Sequence, residues 1–272
     1  MNKIIYIGIF LIASLLIIYV SIGWGNLDSQ NMEYKAKKFD LRNKINIKTE
    51  YQIQDTYKSC YAYAGLDTIE TYILLNYGKE YNFSEAHVEY MTSNLFYGTR
   101  NLNSGGNVFD VINYINSGNG PALESEVPNK VYEKEDLKLL ENKAYTIIKK
   151  ITPIQYENDT NIRENIKKYV VEKGALSAGI YFEPLNTNLY NKSTYSYINL
   201  TEETENHVVT IIGWDDNYPK ENFPISNRPK DDGAYIVMAY WKEPKNDNIM
   251  YISYEDILIE KYTIGIDSCE LY

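Results

Sequence analysis

Gln54-Asp-Thr-Tyr-Lys-Ser-Cys60-Tyr-Ala-Tyr-Ala64 is the stretch on which the reading of this chain turns. From Ser59 onward the apolar residues recur at helical spacing through Asn76 and Tyr77, and Gly78 follows as a C-terminal cap, so Cys60 is predicted at a helix N-terminus. A helix N-terminus and a nearby imidazolium both stabilise a thiolate, the form in which cysteine attacks carbon. Far downstream lies Asn206-His207-Val-Val-Thr-Ile-Ile-Gly-Trp214, which offers an imidazole at the start of an apolar strand. Gln54 supplies a side-chain amide that can donate to an oxyanion, with the backbone N–H of Cys60 as second donor. A nucleophile, a base and an oxyanion donor in one chain point to a cysteine hydrolase. By itself, a cysteine among alanines and tyrosines on a helix is more often a packing residue.

Order and spacing reverse that judgement, because both segments resemble the papain-like cysteine peptidases. Their nucleophile region reads Gln, five residues, Cys and then aromatic and alanine positions, with a separate Asn-His before a hydrophobic strand. Phe39-Asp-Leu-Arg42 resembles the opening of the mature domain in that family, and Asn82-Phe-Ser-Glu85 its Leu-Ser-Glu-Gln helix start. Asn103-Ser-Gly105-Gly106 is similar to its substrate loop. Gly233-Ala-Tyr-Ile-Val-Met-Ala239-Tyr-Trp241 falls where the family has a strand and Lys-Asn-Ser-Trp-Gly, and Tyr251-Ile-Ser-Tyr254 matches the strand after it. The resemblance covers most of residues 39–272.

It implies an α+β, two-lobe papain-like fold with the cleft between the lobes, and periodicity reads the same way. Ser84 starts a second helix, and Val108 to Ile115 a third that ends at Gly118-Asn-Gly120-Pro121. The later segments Leu176 to Phe182, Val208 to Trp214, Tyr235 to Trp241, Ile249 to Tyr254 and Lys261 to Ile266 are β-branched and aromatic, as strands are. A helical N-terminal lobe beside a β-rich C-terminal lobe follows.

The resemblance also assigns roles. Cys60 is the nucleophile, His207 the base and then the acid, and Gln54 the oxyanion donor. Gly105 and Gly106 bind substrate backbone, Ala178 lines a specificity pocket, and Trp241 shields the bond that orients the histidine. His87 falls where the family places no catalytic group and reads as structural or exposed. No metal or organic cofactor is implied, and the partner is a peptide or protein substrate.

Some positions depart from the pattern. Ala239 stands where the family has the Asn that orients the catalytic imidazole, Tyr61 replaces a Trp, and Lys242 a Gly. With the orienting group gone, the expected loss is about 1.5–3 kcal/mol, a factor of roughly 10–100 in rate, and Ala239→Asn should recover it. The departure keeps two other readings open: a pseudoenzyme that binds peptides in the cleft, and an amidase or acyltransferase on the same scaffold. Tyr57 and Asn103 replace both ends of a family disulfide, which leaves Cys269 a free thiol.

The remaining features bound the setting. The 272 residues are 44% hydrophobic, enough for a substantial core, and a net charge of −10 argues against nucleic acid, whose phosphates need clustered Lys and Arg. Residues 4–24 carry no charge and suit a membrane helix of about 20 residues, with Lys3 before them and no Ala-x-Ala after. They read as a signal anchor, or a signal peptide over 1–24, followed by a linker over 25–38 and the peptidase domain over 39–272. The expected location is the cell membrane with the peptidase domain extracytoplasmic, or secreted if the segment is cleaved. Lys35, Lys37, Lys38 and Arg42 after the span pull the orientation the other way.

Overall fold

The computed structural model describes residues 33–47, 58–128, 132, 136, 140, 147–156, 160–241 and 248–272. The predicted span over residues 4–24, Gln54, Tyr57 and Lys242 lie outside them. Among the described residues no helix is long and apolar enough to cross a membrane. Residues 33–36 make a single turn closed by the Ala36 N–H on the Glu33 carbonyl and belong to a unit separate from the main one. Lys37–Tyr272 is a second compact unit.

Within that second unit, α1 (Cys60–Tyr77) is buried along most of its length, as a helix apolar around its circumference must be. Gly78 ends it in the left-handed conformation (φ 64°), with its N–H on the Leu74 carbonyl. Two shorter helices complete the helical lobe. Ser84 caps α2 (Glu85–Met91) by accepting from the His87 N–H, and Asn107 with Asp110 forms a reciprocal capping box on α3 (Val108–Asn116). Their apolar faces meet α1 in a core built around Leu66, Ile69, Ile73, Val88, Val111 and Ile115.

Nine strands among the described residues form one sheet: β1 (Lys38–Asp40), β2 (Ile148–Tyr156), β3 (Leu176–Ile180), β4 (Tyr190–Asn191), β5 (Ser196–Tyr197), β6 (His207–Asp215), β7 (Ala234–Met238), β8 (Ile249–Ser253) and β9 (Thr263–Leu271). Their order is β2-β9-β3-β6-β7-β8-β5-β4, with β1 added to β6. A fourth helix, α4 (Ile162–Glu172), precedes β3. The sheet crosses α1 at β3, where Ser177 Oγ donates to the Ala64 carbonyl (2.9 Å) and bonds Thr68 Oγ1 (2.8 Å).

The predicted α+β layout is the one observed. β2 and α4 are additions to the sequence reading, and β9 runs to Leu271 rather than stopping at Ile266. Pro153 in β2 lacks a ladder N–H, which the sheet accommodates because β2 is an edge strand with a register shift at Thr152/Pro153.

Candidate active site

Cys60 is the first residue of α1 and His207 the first of β6, so each sits where an element begins and faces the other across the lobes. Burial alone would raise the Cys60 thiol, but the charge and hydrogen bond of His207, with backbone N–H groups of Val208 and Tyr61, outweigh it and hold the thiol below its ordinary range. His207 mirrors this. Burial works against its charge, yet the Cys60 thiolate and the Ala239 carbonyl hold the imidazole above its ordinary value. The two shifts have opposite sign and one cause, a thiolate–imidazolium pair.

The other face of the imidazole is also engaged. His207 Nε2 donates to the backbone carbonyl of Ala239 at 2.6 Å, which leaves Nδ1 for the thiol. Position 239 therefore contributes an acceptor even though its side chain is a methyl group. The Ala239 N–H is fixed in turn on the Asn248 carbonyl at 2.8 Å.

Tyr240 holds that carbonyl in place from the other side. Its backbone is left-handed (φ 49°), an uncommon state for a bulky residue that its surroundings must enforce. Its ring stacks on Tyr63 (5.3 Å between centroids, 22°), and its hydroxyl bonds Thr210 Oγ1 (2.5 Å) and donates to Asp67 Oδ2. Tyr63 and Asp67 lie four residues apart on α1, on one face of the helix that begins at Cys60. One helix thus carries the nucleophile and anchors the segment that orients its partner. Burial pushes the Asp67 carboxyl up to about 7, against the opposing pull of the Tyr240 hydrogen bond.

The ring packed against His207 is that of Phe182 (5.2 Å, 30°), with Trp241 edge-on behind it (5.6 Å, 79°) and 39% exposed. Asn206, beside the histidine, clasps Phe182 at both ends: its Oδ1 accepts from the Phe182 N–H (2.7 Å), and its Nδ2 donates to the Phe182 carbonyl (3.3 Å). Phe182, Tyr240, Asp67 and the Ala239 carbonyl are absent from the sequence reading. Ala239 and Tyr240 do lie in the segment matched to the family, but that match compares side chains and is blind to the carbonyl, while Phe182 and Asp67 lie in no site motif.

Gly105 (φ 80°) lies against Lys58, two residues before the nucleophile, with 3.7 Å from its would-be Cβ to Lys58 Cβ. Gly106 rests on the Tyr61 ring, where a Cβ would come within 2.8 Å of the ring carbon. Tyr61 is fully buried, bonds Thr92 Oγ1 at 3.0 Å and carries the Arg100 guanidinium over its face at 4.9 Å. It is the platform for the glycine loop.

Two further positions of the sequence reading have a definite place in the structure. Ala178 is 1% exposed, and because its neighbour Ser177 points at α1, alternation along the strand turns Ala178 away from the nucleophile's helix. Its cross-strand partner is Val209, two residues from His207, so Ala178 stands on the sheet face that carries the histidine, whereas Gly179, beside Glu205 and Tyr262, shares the face of Ser177. Of the two readings of His87, structural or exposed, the structure has the first: it is buried, bonding Tyr114 and the Leu140 carbonyl (2.9 Å), and burial holds it below its ordinary pKa. Both described cysteines are free and buried.

A family model described as papain family cysteine protease matches residues 35–248. Among solved structures, the cysteine protease and lectin-like domains of Cwp84, a surface layer associated protein of Clostridium difficile, superpose with a TM-score of 0.73 at 23% identity, over 87% of this chain and 52% of that one. The bromelain protease from Ananas comosus, in complex with an inhibitor, gives 0.61 at 18% identity over 85% of this chain and 98% of its own. The protein thus spans about half the length of the Cwp84 structure. No curated protein sequence matches it.

Proposed function

Since the chain belongs to the papain family of cysteine proteases, we propose that it hydrolyses peptide bonds through a thioester on Cys60. The observation that carries this is the Cys60–His207 pair, whose shifts in opposite directions favour the charged state needed for attack. The thiolate Sγ adds to the scissile carbonyl carbon, and the oxyanion forms beside the N-terminus of α1, where the Cys60 N–H and the helix dipole favour negative charge. Gln54 is the second donor in this reading. As the C–N bond breaks, His207 passes its Nδ1 proton to the leaving nitrogen. The neutral imidazole then takes a proton from water as that water attacks the thioester, the C–S bond breaks, and release of the acid restores the thiolate–imidazolium pair.

Through both steps the Ala239 carbonyl keeps its hydrogen bond to Nε2–H, supplying the orientation that a side-chain amide gives elsewhere in the family. The case for a binding-only protein rests on the absent side chain at 239, and an acceptor in its place favours turnover. The test is reaction of the full-length protein with a peptidyl epoxide, read by peptide mass spectrometry. An adduct on Cys60 is expected; no adduct, or one on Cys269, overturns the proposal.

The uncharged segment over 4–24 supports a location at the membrane. Retention in the membrane fraction after an alkaline carbonate wash tests this, and a soluble form beginning near Gly23 to Gly25 would mark a cleaved signal instead.

A further inference from the structure

Trp241, the hairpin that follows Phe182 and the segment around Phe223 to Arg228 border an open groove of about 1030 Å³. That is at the top of the range of about 300–1,000 Å³ typical of ligand sites. Its walls are tied to each other: Ser226 Oγ donates to Asn188 Oδ1 (3.0 Å), Asn227 Nδ2 to the Asn188 carbonyl (3.0 Å) and Asn191 Nδ2 to the Asn222 carbonyl (2.7 Å). Leu185 is 91% exposed and Ile225 85%, and Trp241, which also lines the groove, is 39% exposed. Large apolar side chains gathered in water around one concavity mark a surface that something else covers.

The chemistry of the site says which half of a substrate reaches it. His207 must hand its proton to the leaving nitrogen, so the substrate residues that follow the scissile bond lie on the histidine's side of Cys60. The glycine loop at Lys58 takes the other half. Trp241, at the groove, stands two ring contacts from His207, through the buried Phe182 ring at 5.2 and 5.6 Å. At about 3.3 Å per residue, an extended peptide arrives there roughly three residues beyond the bond.

We propose that this groove binds the leaving-group half of a polypeptide substrate and selects apolar side chains from about its third residue onward. A substrate that fills the groove extends at least three residues beyond the scissile bond. This rests on the peptidase reading above.

Two substrates with the same residues before the bond test it: an aminocoumarin amide, which has nothing after the bond, and an internally quenched peptide with five residues after it, carrying Leu or Asp at the third and fourth. In the unaltered protein, kcat/KM for the Leu peptide should exceed that for the Asp peptide at least tenfold. Leu185→Asp with Ile225→Asp, both on the surface, should lower kcat/KM on the Leu peptide at least tenfold more than on the amide. Equal effects on the two substrates, or none, overturn the proposal.

Failure of the peptidase reading is separated by a binding arm. Fluorescence anisotropy of a labelled apolar pentapeptide with Cys60→Ala protein should show binding that the double variant weakens at least tenfold, whether or not the unaltered protein turns over. Absence of that binding overturns the groove. So does a finding that the two substitutions change only sedimentation, since the groove would then join two copies of this protein.

Discussion

Ala239→Asn separates two accounts of this site that predict different numbers. If position 239 contributes nothing to His207, restoring the side chain usual in the family should raise the rate roughly 10–100-fold. The carbonyl of Ala239 already accepts from Nε2 at 2.6 Å, and Nε2 has a single proton to give. A hydrogen bond from a charged group is worth about 1.5–3 kcal/mol, or a factor of about 10–150 in rate. That contribution is in place before any mutation. An added carboxamide can only replace the carbonyl as acceptor, with no net gain, so kcat/KM on a peptide substrate should stay within about threefold of the unaltered protein.

The cost should appear in stability instead. Ala239 is 4% exposed, and overfilling such a position costs about 1–3 kcal/mol, equivalent to roughly 3–10 °C in Tm for a protein of this size. The assay is initial rates normalised to competent sites by titration with the epoxide, beside a thermal melt. A rise of tenfold or more in kcat/KM would refute the reasoning, because it would mean that the carbonyl does not orient the ring. A gain confined to titratable sites, without a change per site, would not rescue it.

Iodoacetamide at pH 5.5 should modify Cys60 and spare Cys269, whose thiol burial pushes up to about 11, whereas an ordinary thiol near pKa 8.5 is only about 0.1% ionised there; equal rates at the two sites would contradict the ion pair. Tyr240→Phe keeps the stack on Tyr63 but loses the bonds to Thr210 and Asp67, so kcat should fall about tenfold with KM little changed; a lower Tm with unaltered kcat would make the phenol purely structural. Asp67 has a folded pKa raised from 3.8 to about 7, so its contribution to stability is full below about pH 4 and is lost as the pH rises through about 7. Because the residue keeps some exposure, the loss should be about 2–4 kcal/mol at most, and Asp67→Asn should flatten the fall in urea midpoint between pH 4 and pH 8; the same slope in both proteins would show that other groups set it.

How far the sequence discloses this fold depends on whether the signal is local. Helices α1, α2 and α3 are legible because their ends are written in single residues: Gly78, Ser84 and Asn107. The strands of the sheet's centre are legible from β-branched runs. β2 is not, since Lys149, Lys150 and Pro153 read as loop, and only its place at the sheet edge makes them acceptable. α4 has the spacing of a surface helix in Ile162, Ile166, Tyr169 and Val170, but its charged face dilutes the signal. Ala178 shows a different limit. A strand is readable there, but which of its two alternating faces meets α1 and which carries His207 is fixed by Ser177 reaching the Ala64 carbonyl, a contact between residues more than a hundred positions apart in sequence.

The orienting group of the site was hidden for a deeper reason. A sequence names side chains, and motif reasoning asks which side chain occupies each role, so alanine at 239 reads as a vacancy. Every residue also carries a carbonyl, and whether it can replace a carboxamide depends on where the backbone aims it. Here the aim depends on the next residue, Tyr240, whose left-handed backbone is held by a stacked ring and two hydrogen bonds to its hydroxyl. The serine usual in the family at that position could not reach Asp67 on α1 in this way. Loss of the amide at 239 and the tyrosine at 240 are therefore one change: the orienting acceptor moved from side chain to backbone, and the tyrosine is what makes the backbone rigid enough to serve.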